Sequence, residues 1–390
     1  MKRMKIAVIH SSLNLCGGAE RLCVIMINAI RKAGNEVTLA TVDKTNWPLL
    51  KRKYGLECKV DHEIFLIPNT FETASISSRI ALTLSSFLIE YPWLKLRNDH
   101  DLIINTSGEL AVLAEDISYI NAVPMRMAFE YPEILPLTNS WWRSSSKLYD
   151  RLLKAIDMMH RNTILVTNSK FNETIIHKRL GRHASVIYPP VNVELFKPSY
   201  KNGERRNLVI TVSRFRQGKN LNRIPEVAKM VKNSRFLIIG PADKSSETTI
   251  AQIRRTAKEL NVQDRVELLT NQPLSTLLRM LGQAKVLLHT QSSEAFGMSI
   301  VESMAAGCVP VVPRNGGPWF DLLNEEQGRF GYSYLDTEEA ADFTKRLIDS
   351  ETLRAEISAR AFDHSDTFAS SIFEQRFLEL VNQTHYSKID

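Results

Sequence analysis

What this 390-residue chain lacks narrows its chemistry first. Its four cysteines, Cys16, Cys23, Cys58 and Cys308, form neither a CxxC pair nor a paired framework, so no disulfide scaffold and no thiolate metal site is predicted. The first thirty residues lack the charged, apolar and cleavage regions of a secretory leader, and the expected setting is a reducing cytoplasm. Long apolar runs are missing as well. The richest window, RIALTLSSFLIEYPWL (79–94), is broken by Ser, Thr and Glu, short of the roughly 18 unbroken apolar residues that a spanning helix needs. No G-x-G-x-x-G follows the first strand-like run, which disfavours a dehydrogenase, and the nine histidines show no H-E-x-x-H or comparable spacing, so no metal is expected.

The net charge of +7 suggests an anionic partner, yet there is no dense Lys/Arg run with interleaved aromatics and no zinc-finger spacing, which argues against nucleic acid. The charge is uneven. Residues 1–200 hold 25 Lys and Arg against 19 Asp and Glu, or +6, leaving 25 against 24, or +1, for the remainder. With Trp141-Trp142-Arg143 and an amphipathic face at Ile80, Leu84, Phe87, Leu88 and Tyr91, the N-terminal half suits an anionic phospholipid surface or a phosphate-bearing substrate; a plain core helix with a buried aromatic pair is the alternative.

Against these absences stands a regular alternation. KIAVIH (5–10) reads as a strand, followed by a loop and then Leu22, Ile25, Met26, Ala29, Ile30 and Ala33 at helical spacing. Further strand-like runs lie at 36–42, 102–105, 117–120, 163–169 and 185–191. After PPVNVELFKPSYKNGERR (189–206), which reads as a connector, a second series of strands begins at 207–213, 235–240, 265–269 and 285–289, with helical patterns near 221–232, 247–260 and 275–283. Strands alternating with helices imply parallel sheets, and 390 residues exceed what one core usually serves. The expectation is an α/β chain of two Rossmann-like domains, 1–195 and 206–365, with parallel sheets facing a central cleft, and a C-terminal helical segment, 366–390, packing back on the first.

In such sheets ligands bind outside the carboxyl ends of the strands. Three loops there look prepared for a phosphate and a sugar. SSLNLCGGAER (11–21) places Gly17-Gly18 directly before a helix, where free N–H groups can approach an anion, although a glycine pair is also an ordinary tight turn. SRFRQGKN (213–220) offers Arg214, Arg216 and Lys219, able to neutralise a diphosphate where other enzymes use a metal. SSEAFGMSIVESMAAGCVPVV (292–312) sets Glu294 in a loop and Glu302 one turn inside the following helix, with the Gly297–Ser299 amides between them. Carboxylates only accept hydrogen bonds, so the pair suits hydroxyl-rich groups on either side of a phosphate; the alternative is a helix-end charge and a surface glutamate. Asp99-His100-Asp101 resembles a metal-holding D-x-D, but it precedes its strand and so lies at the wrong sheet edge.

These segments closely resemble glycosyltransferase family 4, retaining enzymes of the GT-B fold. The matching stretches are CGGAER (16–21), TNSKF (167–171), VIYPPVNVELF (186–196), VSRFRQGKN (212–220) and SEAFGMSIVESMAAGCVPVV (293–312), and within the family the chain is most similar to mannosyltransferases that extend lipid-linked oligosaccharides. The resemblance implies that Gly17 and Gly18 contact phosphate, that Arg214 and Lys219 carry the donor diphosphate, that Glu294 holds the transferred sugar and Glu302 the ribose, and that Phe296, Gly297, Met298 and Ser299 supply main-chain contacts. In YINAVP (119–124), Asn121 stands where related enzymes often carry a histidine; an amide there can orient a sugar hydroxyl but cannot act as a base. The implied activity is metal- and cofactor-free transfer of a hexose, mannose from GDP-mannose or else a sugar from a UDP-sugar, to a lipid-linked or other glycan acceptor by a peripheral protein on the cytoplasmic membrane face. A nucleotide-sugar epimerase, a sugar phosphorylase and a catalytically silent transferase-like partner are the other readings.

Overall fold

The structure is a computed structural model that describes residues 3–67, 96–107, 115–121, 162–202 and 204–388. The chain divides into two compact units, one comprising Met1–Asn168, Asn172–Pro190 and Ser371–Asp390, the other Ser169–Phe171 and Val191–Ser370. The amphipathic face at 80–91 and Trp141-Trp142-Arg143 lie outside the described residues. Among the described residues no helix is long and apolar enough to cross a membrane.

The first unit holds a seven-stranded sheet built from β1 (Lys5–Ile9), β2 (Glu36–Asp43), β3 (His62–Ile67), β4 (Leu102–Asn105), β5 (Ile117–Ile120), β6 (Ile164–Thr167) and β7 (Ser185–Val186). Its order is β3-β2-β1-β4-β5-β6-β7 and every pairing is parallel. Ile6, Ala7, Val8 and Ile9 of β1 are all buried, as expected of a central strand covered on both faces. The helix Gly18–Lys32 covers one face with Leu22, Met26, Ile27, Ala29 and Ile30. The helix Ser370–Tyr386 lends Phe373, Phe377 and Val381 to the same core, Phe373 edge-on to Tyr119 at 6.4 Å between centroids.

The second unit holds β8 (Arg206–Val212), β9 (Arg235–Gly240), β10 (Val266–Thr270), β11 (Ala284–Leu288), β12 (Val309–Pro313) and β13 (Tyr332–Tyr334) in the order β10-β9-β8-β11-β12-β13, again all parallel. Strand order reverses between β1 and β4 in one sheet and between β8 and β11 in the other. At such a reversal the loops from neighbouring strands diverge to opposite faces and leave a crevice at the carboxyl ends. The loops after β8 and β11 therefore flank one crevice.

Two local expectations need correction. Residues 189–206, read as a connector, contain the helix Val193–Asn202 with Pro198 inside it. Its Pro, Asn and Lys content masks a helical pair, Val193 and Phe196, both buried. The strand expected over 185–191 stops at Val186, because Pro189 and Pro190 cannot donate to a ladder.

Candidate functional site

The crevice of the second sheet brings together residues 75 positions apart. Lys219 ends a short 3₁₀ turn, Gln217–Lys219, after β8, and its Nζ donates to Glu294 Oε2 at 3.0 Å and to Gln291 Oε1. The backbone is tied as well: Thr290 Oγ1 donates to the Lys219 carbonyl at 2.7 Å. Both side chains of the ion pair are largely sheltered, 29% exposed for Lys219 and 20% for Glu294. Burial alone would push the Glu294 carboxyl up, but Lys219, His289 and the hydrogen bonds from Lys219 and the Ala295 backbone together hold it below the ordinary value. Glu294 is thus an anion whose charge is fixed by its neighbours.

His289, the first residue after β11, was not singled out from the sequence. It is only 5% exposed; its Nε2 lies 3.8 Å from Glu294 Oε2 and, among the described residues, has no hydrogen-bond partner. Burial, opposed by Glu294 and assisted by Lys219, pushes its pKa down to about 4, so near neutrality this ring is an uncharged group beside the ion pair. A histidine closing an apolar strand gave no periodic signal; only the fold places it against Glu294.

The position of Glu294 is set from below by a second feature the motifs did not reveal. The RNGG loop after β12 runs beneath residues 293–296. Gly317 donates its N–H to the Glu294 carbonyl at 2.8 Å, and Asn315 Nδ2 donates to Ser293 Oγ at 3.1 Å. A Cβ on Gly316 would lie 2.5 Å from the Glu294 carbonyl oxygen, and one on Gly317 would lie 2.2 Å from that of Ala295. Only glycine lets the two backbones approach this closely.

Gly297 caps the helix Met298–Ala305 with φ 98°, a left-handed conformation; a Cβ there would also meet Ile300 Cδ1 at 2.7 Å. The amides opening that helix have no partner within it and carry its positive dipole end, so Met298 and Ser299, both half-buried, present anion-binding N–H groups. Phe296 is buried edge-on to Phe368, which leaves main-chain rather than ring contacts for a ligand. Glu302 is half-buried in the second turn of the helix, and Arg214 half-buried on the loop after β8.

In the first unit the Gly17 amide is already taken: it donates to Glu20 Oε2 at 2.6 Å. The anion-binding amides of this turn are therefore those that open the helix at Gly18. Beneath it lies buried His10, whose Nδ1 pairs with Thr106 Oγ1 at 2.9 Å and whose Nε2 is 4.0 Å from Glu20 Oε1. Burial opposes charge on His10, but Cys23 and Glu20 hold its pKa above the usual value. Asn121 follows β5 and spends an amide hydrogen on the Thr106 carbonyl at 3.0 Å. Asp101 accepts from the Lys5 amide at 2.7 Å, and His100 Nε2 pairs with Thr38 Oγ1 at 2.8 Å, so the D-x-D-like stretch ties strands together at the amino edge of the sheet.

Comparison with known proteins bears on these arrangements. Residues 192–364 match the family model of glycosyl transferases group 1. The chain is 29% identical over 226 residues to "GDP-Man:Man(3)GlcNAc(2)-PP-Dol alpha-1,2-mannosyltransferase" of Dictyostelium discoideum, covering 53% of this chain and 44% of that protein. To the Homo sapiens protein of the same description it is 28% identical over 237 residues, 56% of this chain and 48% of the other. The chain thus spans about half the length of the curated relatives it matches. Among solved structures it superposes on sucrose-phosphate synthase from Thermosynechococcus elongatus with a TM-score of 0.75, 16% identity and coverage of 99% and 100%. The Anabaena HepE complex with UDP and glucose gives a TM-score of 0.72 at 16% identity, covering 97% and 100%. At these identities the structural likeness establishes the fold, that of GT-B glycosyltransferases.

Proposed function

We propose that this chain, whose residues 192–364 match the family model of glycosyl transferases group 1, is a retaining mannosyltransferase that moves mannose from GDP-mannose onto a lipid-linked glycan. The observation that carries the reading is the Lys219–Glu294 pair at 3.0 Å, set at the carboxyl ends of the two strands where the sheet order reverses. A cation for a leaving diphosphate and an acceptor for sugar hydroxyls adjoin each other, as the two sides of a sugar–phosphate bond require. The relatives' description, a GDP-Man donor and an alpha-1,2 product, supports the choice of mannose and of retention, because the sugar in GDP-mannose is itself α-linked.

In this mechanism the sugar gains oxocarbenium character while negative charge grows on the departing diphosphate. Lys219, Arg214 and the Gly297–Ser299 amides stabilise that charge in place, without solvent having to reorganise. Glu294 accepts from the sugar's hydroxyls and Glu302 from the ribose. The acceptor hydroxyl attacks on the face that the diphosphate leaves, and the diphosphate oxygen takes its proton. No divalent ion is needed in this scheme, so turnover should survive a strong chelator; activity lost on chelation and restored by Mg²⁺ or Mn²⁺ overturns that part of it. In this proposal the protein acts peripherally on the cytoplasmic face of a membrane; the lipid-linked acceptor in the relatives' description supports the membrane association alone, and salt-sensitive sedimentation with anionic vesicles tests it.

The deciding experiment is a thermal-shift screen against GDP-mannose, UDP-glucose, UDP-N-acetylglucosamine and the free nucleotides, followed by a transfer assay with a lipid-linked acceptor. A ligand at a hundred times its Kd adds about 2.7 kcal/mol of stability. Stabilisation by GDP-mannose with product formed only when acceptor is present is the expected result. A shift with UDP-sugars alone replaces the donor, product without acceptor points to an epimerase, and binding without turnover points to a silent partner.

A further inference from the structure

Outside the donor crevice, the first unit gathers three metal-ligating side chains that the proposed chemistry does not use. Glu173 and His177 stand four residues apart on the helix Lys170–Leu180, and so share one face. Gly181 ends the helix: its N–H donates to the His177 carbonyl at 2.9 Å and its φ of 63° is left-handed, which turns the chain back on itself. Two residues later His183 returns over His177, their rings stacked 4.0 Å apart at 16°, and His183 Nδ1 lies 2.9 Å from Glu173 Oε1. One donor atom from each of the three side chains lies within 4.8 Å of the other two.

We propose that Glu173, His177 and His183 bind one divalent transition-metal ion of the zinc class. Two imidazole nitrogens and one carboxylate oxygen are the donor set such ions favour, whereas Mg²⁺ and Ca²⁺ prefer oxygen throughout. Metal–ligand distances of about 2.0–2.2 Å require donors a little over 3 Å apart. The Glu173–His183 pair is already at that separation, and the His183 side chain, 78% exposed, can rotate without disturbing a core. Three protein ligands leave at least one position for water. The ion ties the helix to the segment that leads into β7, the two-residue edge strand paired with β6. Its role is to steady the sheet edge, and it is independent of the donor site, none of whose residues it includes.

The test uses the full chain, free of any affinity tag and treated with chelator, titrated with ZnCl₂ by calorimetry alongside His183→Ala and Glu173→Gln. One equivalent of Zn²⁺ is expected with a rise in Tm, weakened at least about tenfold in each variant and lost when His177 and His183 are both replaced by Ala. MgCl₂ at the same concentration should leave Tm unchanged. Should other histidines also take up zinc, the paired replacement must still lower the stoichiometry by one. Wild-type protein that binds no Zn²⁺, or variants with the wild-type stoichiometry and affinity, overturn the assignment. Because calorimetry with the metal alone requires no nucleotide or acceptor, its outcome is separate from that of the transferase assay.

Discussion

Replacing Lys219 by Met and Glu294 by Gln, singly and together, measures the contact on which the catalytic reading rests. At 3.0 Å, with an effective dielectric constant near 20, the pair attracts by about 5–6 kcal/mol before the cost of taking both charges partly out of water is counted. Charged hydrogen bonds in such settings net roughly 1.5–3 kcal/mol. Each single variant should lose about that much stability. In a unit of this size the loss should lower Tm by roughly 3–12 °C. The double variant should cost far less than the sum, giving a coupling of about 1.5–3 kcal/mol from urea unfolding followed by circular dichroism. Lys219→Met should in addition abolish the thermal shift given by nucleotide diphosphates, whereas Glu294→Gln should reduce mainly the shift given by the intact nucleotide sugar. Costs that add to within about 0.5 kcal/mol, with nucleotide binding intact in both, would falsify the claim that the two side chains act as one unit.

Three further outcomes are expected. Glu302→Ala should raise the donor KM with little change in kcat, because a ribose contact is equal in ground and transition states, while Glu294→Ala should lower kcat about ten- to a hundredfold; steady-state kinetics showing wild-type values for both removes the assignment. Gly317→Ala should cost about 1–3 kcal/mol and lower kcat/KM, since its Cβ would lie 2.2 Å from the Ala295 carbonyl and force the Glu294 loop to move; unchanged Tm and activity would show that the loop yields freely. His289, with its pKa pushed down to about 4, stays neutral in the fold while the unfolded chain binds a proton below about 6.5. Its contribution is therefore whole above that pH and falls as pH drops towards 4, by up to roughly 3 kcal/mol. Glu294, held below its ordinary value, also loses its contribution on acidification as pH passes through its folded pKa. Unfolding free energies at pH 7 and 5 should differ less in His289→Gln than in wild type, and an equal difference refutes the assignment.

Several determinants were local, and those were legible in the order of residues. β1, β4 and β5 are short apolar runs because parallel strands buried on both faces must be, and Gly297 before a helix marks a left-handed cap that few other residues tolerate. The residue types at Arg214, Lys219, Glu294 and Glu302 were likewise enough to suggest a diphosphate flanked by hydroxyl-rich groups. What the sequence could not supply was adjacency. Strand order decides which loops meet, and nothing local in 213–220 or 289–297 says that β8 pairs with β11. That pairing puts Lys219 against Glu294 and leaves the buried Nε2 of His289 beside them. Tertiary packing also decided that Gly316 and Gly317 serve as the floor under Glu294, and that the Gly17 amide goes to Glu20. Hydrophobic periodicity specifies which face of an element is covered. Long-range pairing, a matter of loop closure and of which covered faces fit together, specifies what stands at the end of each strand and therefore the chemistry.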